Sequence, residues 1–241
     1  MHDLIIFAAI GTLGILVQSF FGFAGSLTAI PLFALFFSVR QVLPAYTLVM
    51  IAIDAWLVFE ARDHVQWSRA AQLLMAGCIG VPIGAYGLRH LPIHVIHVAV
   101  SVVTCTFAIL FLFRVRMSLR ENRRTQFSVG LLSGFLQGCI GQAGPPLVLY
   151  GTAREWDKNT FRSTLLTYFL CLFVVSIVSY ASLGLVSRDT WVYFAAGVVP
   201  AFLAANVGVR LKNRMSEAHF RQAILFVVLA VGIVSLLRSP A

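Results

Sequence analysis

Asp54 lies inside the run "TLVMIAIDAWLVF", which contains no Lys or Arg. A carboxylate in so apolar a stretch is a proton carrier, an ion ligand or a buried hydrogen-bond partner. Beside an anionic solute a permanently ionised Asp54 would repel, so proton coupling suits it better than direct ligation. Two other segments interrupt apolar runs with glycines. "SFFGFAGSLTAIP", residues 19–31, sets Gly22 three residues before Gly25 and ends in Pro31. "GFLQGCIGQAGPP", residues 134–146, does the same with Gly138 and Gly141 and ends in Pro145 and Pro146.

A helix that stops within hydrocarbon leaves unpaired N–H and C=O groups, and it persists only where protein, water or a ligand satisfies them. A helix start also presents free N–H groups and the positive end of the dipole, which suits an anion. The substrate-binding candidates at the first break are therefore Gln18, Gly22, Gly25 and Ser26, with Thr28 as a further hydroxyl. At the second they are Gln137, Gly138, Cys139, Gly141 and Gln142. Asn206, just before Gly208, is a candidate for the same cavity, and Asp54 is the candidate for proton coupling. The competing role for the glycines is close helix packing. For Cys139 it is that of a small buried hydrophobe, against a soft contact with a sulfur-containing solute. Thr47, Ser163 and Thr167 fit local bonds to the preceding helical turn.

The elements that must hold these residues are membrane helices. Of 241 residues, 59% are hydrophobic and 11% charged, where a soluble domain carries about 25% charged residues. Apolar stretches fall at about 4–20, 24–37, 42–59, 70–88, 93–113, 126–150, 163–186, 190–209 and 219–237, several of them long enough to cross a bilayer. The expected fold is an all-α polytopic membrane protein. The first stretch lacks a basic n-region and is expected to be retained. Cys78, Cys105, Cys139 and Cys171 all lie in apolar stretches without metal-ligand spacing, against a disulfide framework or a zinc site. The net charge of +9 sits in short loops, where it orients spans and does not point to nucleic acid. His90, His94 and His97 are the only clustered histidines, with no carboxylate nearby, so an enzyme is not expected.

A shift of 116 residues places Gly14, Gly22 and Gly25 on Gly130, Gly138 and Gly141. The chain divides into a first transmembrane repeat, 1–113, a basic cytoplasmic linker, 114–125, and a second transmembrane repeat, 126–241. If each broken stretch crossed fully, the eighteen Lys and Arg would split nine against nine between the two sides. If each dips and returns, fourteen lie inside and four outside, the asymmetry expected of a cytoplasmic face. The second arrangement makes the repeats inverted, each a Gly-broken hairpin followed by three transmembrane helices, a plan common among secondary transporters.

These motifs resemble the sulfite exporter TauE/SafE family, in which two similar halves each begin with a glycine-rich pattern followed by a proline. The first copy reads "VQSFFGFAGSLTAIP", with Gly22 and Gly25 matching and Ala24 and Ser26 replacing glycines. The second, "GLLSGFLQGCIGQAGPP", keeps Gly130, Gly134, Gly138, Gly141 and Gly144. The resemblance covers essentially the whole chain. It implies a multi-pass permease of a bacterial inner (plasma) membrane moving a small anion, sulfite or an organosulfur or organosulfonate compound. The expected partners are that anion, protons as a candidate coupling ion, and membrane lipids, with no cofactor and no nucleic acid. An anion channel and a non-transporting structural subunit remain the alternatives.

Overall fold

The computed structural model describes residues 1–61, 67–113, 122–152, 158–212, 225–226 and 228–234. Nine helices are delimited among them: α1 (His2–Phe21), α2 (Gly25–Phe36), α3 (Val39–Ala61), α4 (Trp67–His90), α5 (Ile93–Leu112), α6 (Arg123–Ile140), α7 (Gly144–Thr152), α8 (Lys158–Ser182) and α9 (Arg188–Lys212). Residues 225–226 and 228–234 are helical as well. Six helices, α1, α3, α4, α5, α8 and α9, are long and apolar enough to cross a membrane. The protein is an all-α polytopic membrane protein. Large apolar side chains stay exposed at four-residue spacing along single helix faces, such as Met75, Ile79 and Ile83 on α4 and Val199, Leu203 and Val207 on α9. Such faces suit hydrocarbon, and a water-soluble helix would present polar residues there.

Two helix crossings are packed through small residues. On α6, Gly130, Gly134 and Gly138 each press against a backbone carbonyl of α4, those of Leu73, Gly77 and Val81. On α4, Gly80 and Gly84 answer against the carbonyls of Leu131 and Phe135. A methyl at any of the five would collide with main chain, which cannot move aside as a side-chain tip can. Lipid gives helices no hydrophobic drive to associate, so close backbone approach is what this crossing gains. The α1–α9 crossing is similar: a Cβ on Gly208 would lie 2.8 Å from the Leu16 carbonyl, and one on Gly197 2.9 Å from the Phe7 ring.

Helix α1 stops because Gly22 turns left-handed (φ 79°), its N–H closing on the Gln18 carbonyl at 2.7 Å. Helix α6 stops the same way at Gly141 (φ 72°), whose N–H reaches the Gln137 carbonyl at 3.0 Å. The two caps are 119 residues apart, and that offset also pairs Gln18 with Gln137, Ala24 with Ala143 and Gly25 with Gly144. The sequence comparison at 116 is thus corrected by three residues. Gly138, which it set opposite Gly22, lies inside α6. The shared pattern is Gln-x-x-x-Gly-x-Ala-Gly.

The prolines act differently at the two breaks. Pro31 does not end its segment, because α2 continues through it to Phe36. Pro145 and Pro146 fall in the first turn of α7, where a missing N–H leaves no intrahelical bond unmade.

Candidate functional site

At the first break Ala24 also adopts a left-handed conformation (φ 71°), alone among the described non-glycine residues. Such a conformation costs an L-residue about 1–2 kcal/mol. Ala24 is the N-cap of α2 and has no polar side chain to offer, so the start of α2 must find its partners elsewhere. Gln18 supplies one: its Oε1 accepts the Gly25 N–H at 3.1 Å. The Thr28 N–H closes on the Ala24 carbonyl at 3.0 Å, and the Thr28 hydroxyl donates to the same carbonyl at 2.9 Å. The N–H groups of Ser26 and Leu27 are then the orphan donors of the first turn.

The amide nitrogen of the same Gln18 donates to Asp54, at 3.2 Å to Oδ2 and 3.4 Å to Oδ1. Both side chains are buried, Asp54 completely. One glutamine thus connects the carboxylate of α3 to the first N–H of α2. Arg162, on the second turn of α8, approaches from the other half of the chain. Its stem lies over Gly22, where a Cβ would fall 2.5 Å from Arg162 Cγ. Its Nη2 donates to the Ser19 carbonyl at 3.2 Å. Arg162 is among the basic residues whose charge the sequence places in short loops that orient the spans. Its burial was not legible from that placement.

The second break has its own ties. The Ser133 hydroxyl donates to the Ala143 carbonyl at 2.7 Å. Tyr180 donates toward the carbonyls of Gln137 and Gly138, each at 3.0 Å, in the last turn of α6. Gln142 Nε2 donates to the Thr104 hydroxyl of α5 at 2.9 Å. The Oε1 atoms of Gln137 and Gln142 are buried without a partner. Thr104 and Tyr180 were not candidates from the sequence. Each is one of several polar residues on a largely apolar helix, and only the fold brings these two to the break.

A cavity of about 20 Å³ joins the two breaks. Gln18, Phe23, Ala24, Ser26 and Leu27 line it from the first, Gln137, Gln142, Ala143, Gly144 and Pro145 from the second, and Met50, Phe111, Phe169 and Phe173 close its sides. Four of the candidates, Gln18, Ser26, Gln137 and Gln142, therefore meet there. Gly22, Gly25 and Gly141 build the turns behind the wall, and Asp54 stands behind Gln18. Three candidates lie elsewhere. Gly138 packs on the Val81 carbonyl of α4. Cys139 is buried toward the same helix, its Sγ 3.5 Å from where a Cβ on Gly87 would stand. Asn206 is exposed on α9 and donates to the Phe202 carbonyl of its own helix at 2.9 Å. Thr47 and Thr167 bond one turn back, to Leu43 and Ser163. Among the described residues, no three His, Cys, Asp or Glu side chains gather as a metal site.

The family model described as Sulfite exporter TauE/SafE matches residues 7–235. The chain belongs to that family and is a membrane transporter, not an enzyme. No curated protein and no solved structure matches it.

Proposed function

We propose that the protein is a secondary transporter of a small anion, sulfite or an organosulfur compound such as an organosulfonate, in a bacterial inner membrane. It works by alternating access between two inverted repeats, 1–113 and 126–241, joined by the basic linker 114–125. Protons couple to the anion through Asp54. The observation that carries the reading is the start of α2. A helix N-terminus whose N-cap Ala24 offers no side-chain cap, and which takes one acceptor from Gln18, borders with Ser26 a cavity that three glutamine side chains also line. Donors without a cation or a metal form a site for an anion that must also be released. Proline at two positions of the α7 start removes donors there, so the first break is the richer side of the site.

Several contacts support the inverted arrangement. Gly11 and Gly14 of α1 face Tyr46, and Gln18 reaches Asp54, so α1 runs parallel to α3. Arg40 at the start of α3 donates to the carbonyls of Leu88 and Leu91 at the end of α4, so those two run oppositely. Helix α6 follows α4 in step, from Gly130 at Leu73 to Gly138 at Val81. Helix α6 therefore points against α1, the helix it corresponds to. Both breaks also fold back: Phe33 and Ala29 return past Gly11 and Gly14, as Ala143 and Tyr150 return to Ser133 and Gln126. Helix α4 packs on α6 as α9 packs on α1, and α3 packs on α8.

A cavity of this size holds a water molecule and not a sulfur oxyanion, so the two breaks must part for the anion to bind. The test is uptake of labelled sulfite into proteoliposomes with sulfoacetate and acetate as competitors. Saturable uptake inhibited by sulfoacetate and not by acetate is expected. Uptake of none of the three, in vesicles holding folded protein, overturns the anion assignment.

A further inference from the structure

The three glutamines that line the cavity are not equivalent. Gln18 uses both ends of its amide on the protein, the nitrogen on Asp54 and the oxygen on the Gly25 N–H. At the 119-residue offset Gln137 stands where Gln18 does, but Phe173 stands where Asp54 does, and the Gln137 side-chain oxygen has no partner. Gln142 has Phe23 as its counterpart, so the second break carries an amide that the first lacks. Its nitrogen donates to the Thr104 hydroxyl at 2.9 Å, and its oxygen, on the other prong of the same group, has no partner. Thr104 is itself held in place, its Cγ2 lying 3.3 Å from where a Cβ on Gly232 would stand. Gln137 and Gln142 are 1% and 0% exposed, so bulk water does not serve these oxygens either.

We propose that the second break is the hydrogen-bond-accepting wall of the anion site, and that the site binds a small sulfur oxyanion bearing a hydroxyl more tightly than the same anion without one. This rests on the anion reading above and names the substrate class. The two breaks differ in what they offer. The start of α2 presents N–H groups and the Ser26 hydroxyl, which suit the oxygens of an anion. The start of α7 has proline at positions 145 and 146, neither with an N–H to give, and the unpartnered side-chain atoms beside it are two amide oxygens. An anion without a donor meets those oxygens lone pair against lone pair and leaves them unsatisfied. A hydroxyl at the far end of the ligand donates to them, in place of the water that a cavity of about 20 Å³ accommodates. An ammonium would donate as well, but among the described residues no Asp or Glu lines the cavity to balance its charge. Thr104 is the positioning residue: by accepting from the Gln142 nitrogen it keeps the oxygen as the free end of the amide.

Isethionate and propane-1-sulfonate are the probes, a pair of equal charge and similar shape that differ by a hydroxyl in place of a methyl. Each competes against uptake of labelled sulfite into proteoliposomes at one fixed pH. Wild type is expected to be half-inhibited by isethionate at a concentration at least about tenfold below that of propane-1-sulfonate. Gln142→Leu removes one acceptor, and Thr104→Val releases the amide while keeping the shape of the threonine. Each is expected to bring the two concentrations within about threefold. Thr104→Ser keeps the hydroxyl and is expected to keep the preference. A merely structural role for Thr104 would lower total uptake without moving the ratio. Equal inhibition by the two sulfonates, or inhibition by neither, in wild type that takes up sulfite overturns the proposal and leaves the anion reading intact, and this readout needs no variant. Folded Thr104→Val or Gln142→Leu with the full wild-type preference overturns it as well. Wild type that takes up no sulfite overturns the anion reading for sulfite, and this proposal with it.

Discussion

Gln18 holds Asp54 with its amide nitrogen at 3.2 Å while its oxygen, on the same planar group, accepts the Gly25 N–H at 3.1 Å. A neutral amide donates to a carboxylate through its nitrogen while its oxygen accepts from a backbone N–H. The relationship ties the buried carboxylate of α3 to the mouth of α2.

Removing that amide leaves two buried polar groups without partners. Gln18→Leu is expected to destabilise the protein by about 2–5 kcal/mol, since each orphaned group carries its own desolvation cost. Thermal unfolding in detergent checks this, and a midpoint equal to wild type would mean that Gln18 does not connect these groups in the native state.

The glycines separate into two kinds. At Gly138 a Cβ would strike the Val81 carbonyl, whereas at Gly144 the nearest atom is Phe169 Cζ, 3.8 Å away. Gly138→Ala is expected to cost about 1–3 kcal/mol through overpacking of the α4–α6 crossing. Gly144→Ala is expected to fold normally. Size-exclusion profiles and unfolding midpoints of the two variants compare them directly.

Cys139 faces α4 and Asn206 faces outward, away from the cavity. Cys139→Ala and Asn206→Ala are each expected to leave sulfite uptake within about twofold of wild type, the first because a buried thiol here acts as a small hydrophobe. A large loss in the cysteine variant would return the thiol to the substrate path.

Phe23 seals one side of the cavity, its ring edge-on to Phe111 and Phe161 with centroids 6.1 Å away in each case. Phe23→Ala removes both contacts. Such aromatic pairs contribute about 0.5–1.5 kcal/mol each beyond area burial, so the variant is expected to fold and to leak. Proteoliposomes loaded with a pH-sensitive dye should show faster dissipation of a proton gradient than wild type.

Much of this was legible in the chain. The membrane class follows from apolar length alone, and the positions of both breaks from glycine and proline within apolar runs. Gln18 and Gln137 stand out because an amide in hydrocarbon needs a partner. The register was harder, since α6 carries a glycine every fourth residue for packing on α4. Aligning on glycine alone therefore settled on Gly138 in place of Gly141. The full pattern, with glutamine four residues before the cap and Ala-Gly after it, would have separated them. Arg162 was hidden for a different reason. Basic residues at a helix start ordinarily lie at the membrane surface, and only the absence of a side chain at Gly22, far away in sequence, lets this one turn inward. Asn206 misled in the opposite way, because a polar residue in a span can satisfy itself on its own helix.

The most direct measurement is uptake of labelled sulfite into proteoliposomes under an imposed inward proton gradient, for wild type and Asp54→Asn at equal protein content. The account predicts that the gradient accelerates wild-type uptake and drives accumulation, and that the variant loses that dependence while remaining folded. Gradient-driven accumulation that survives in Asp54→Asn would contradict it.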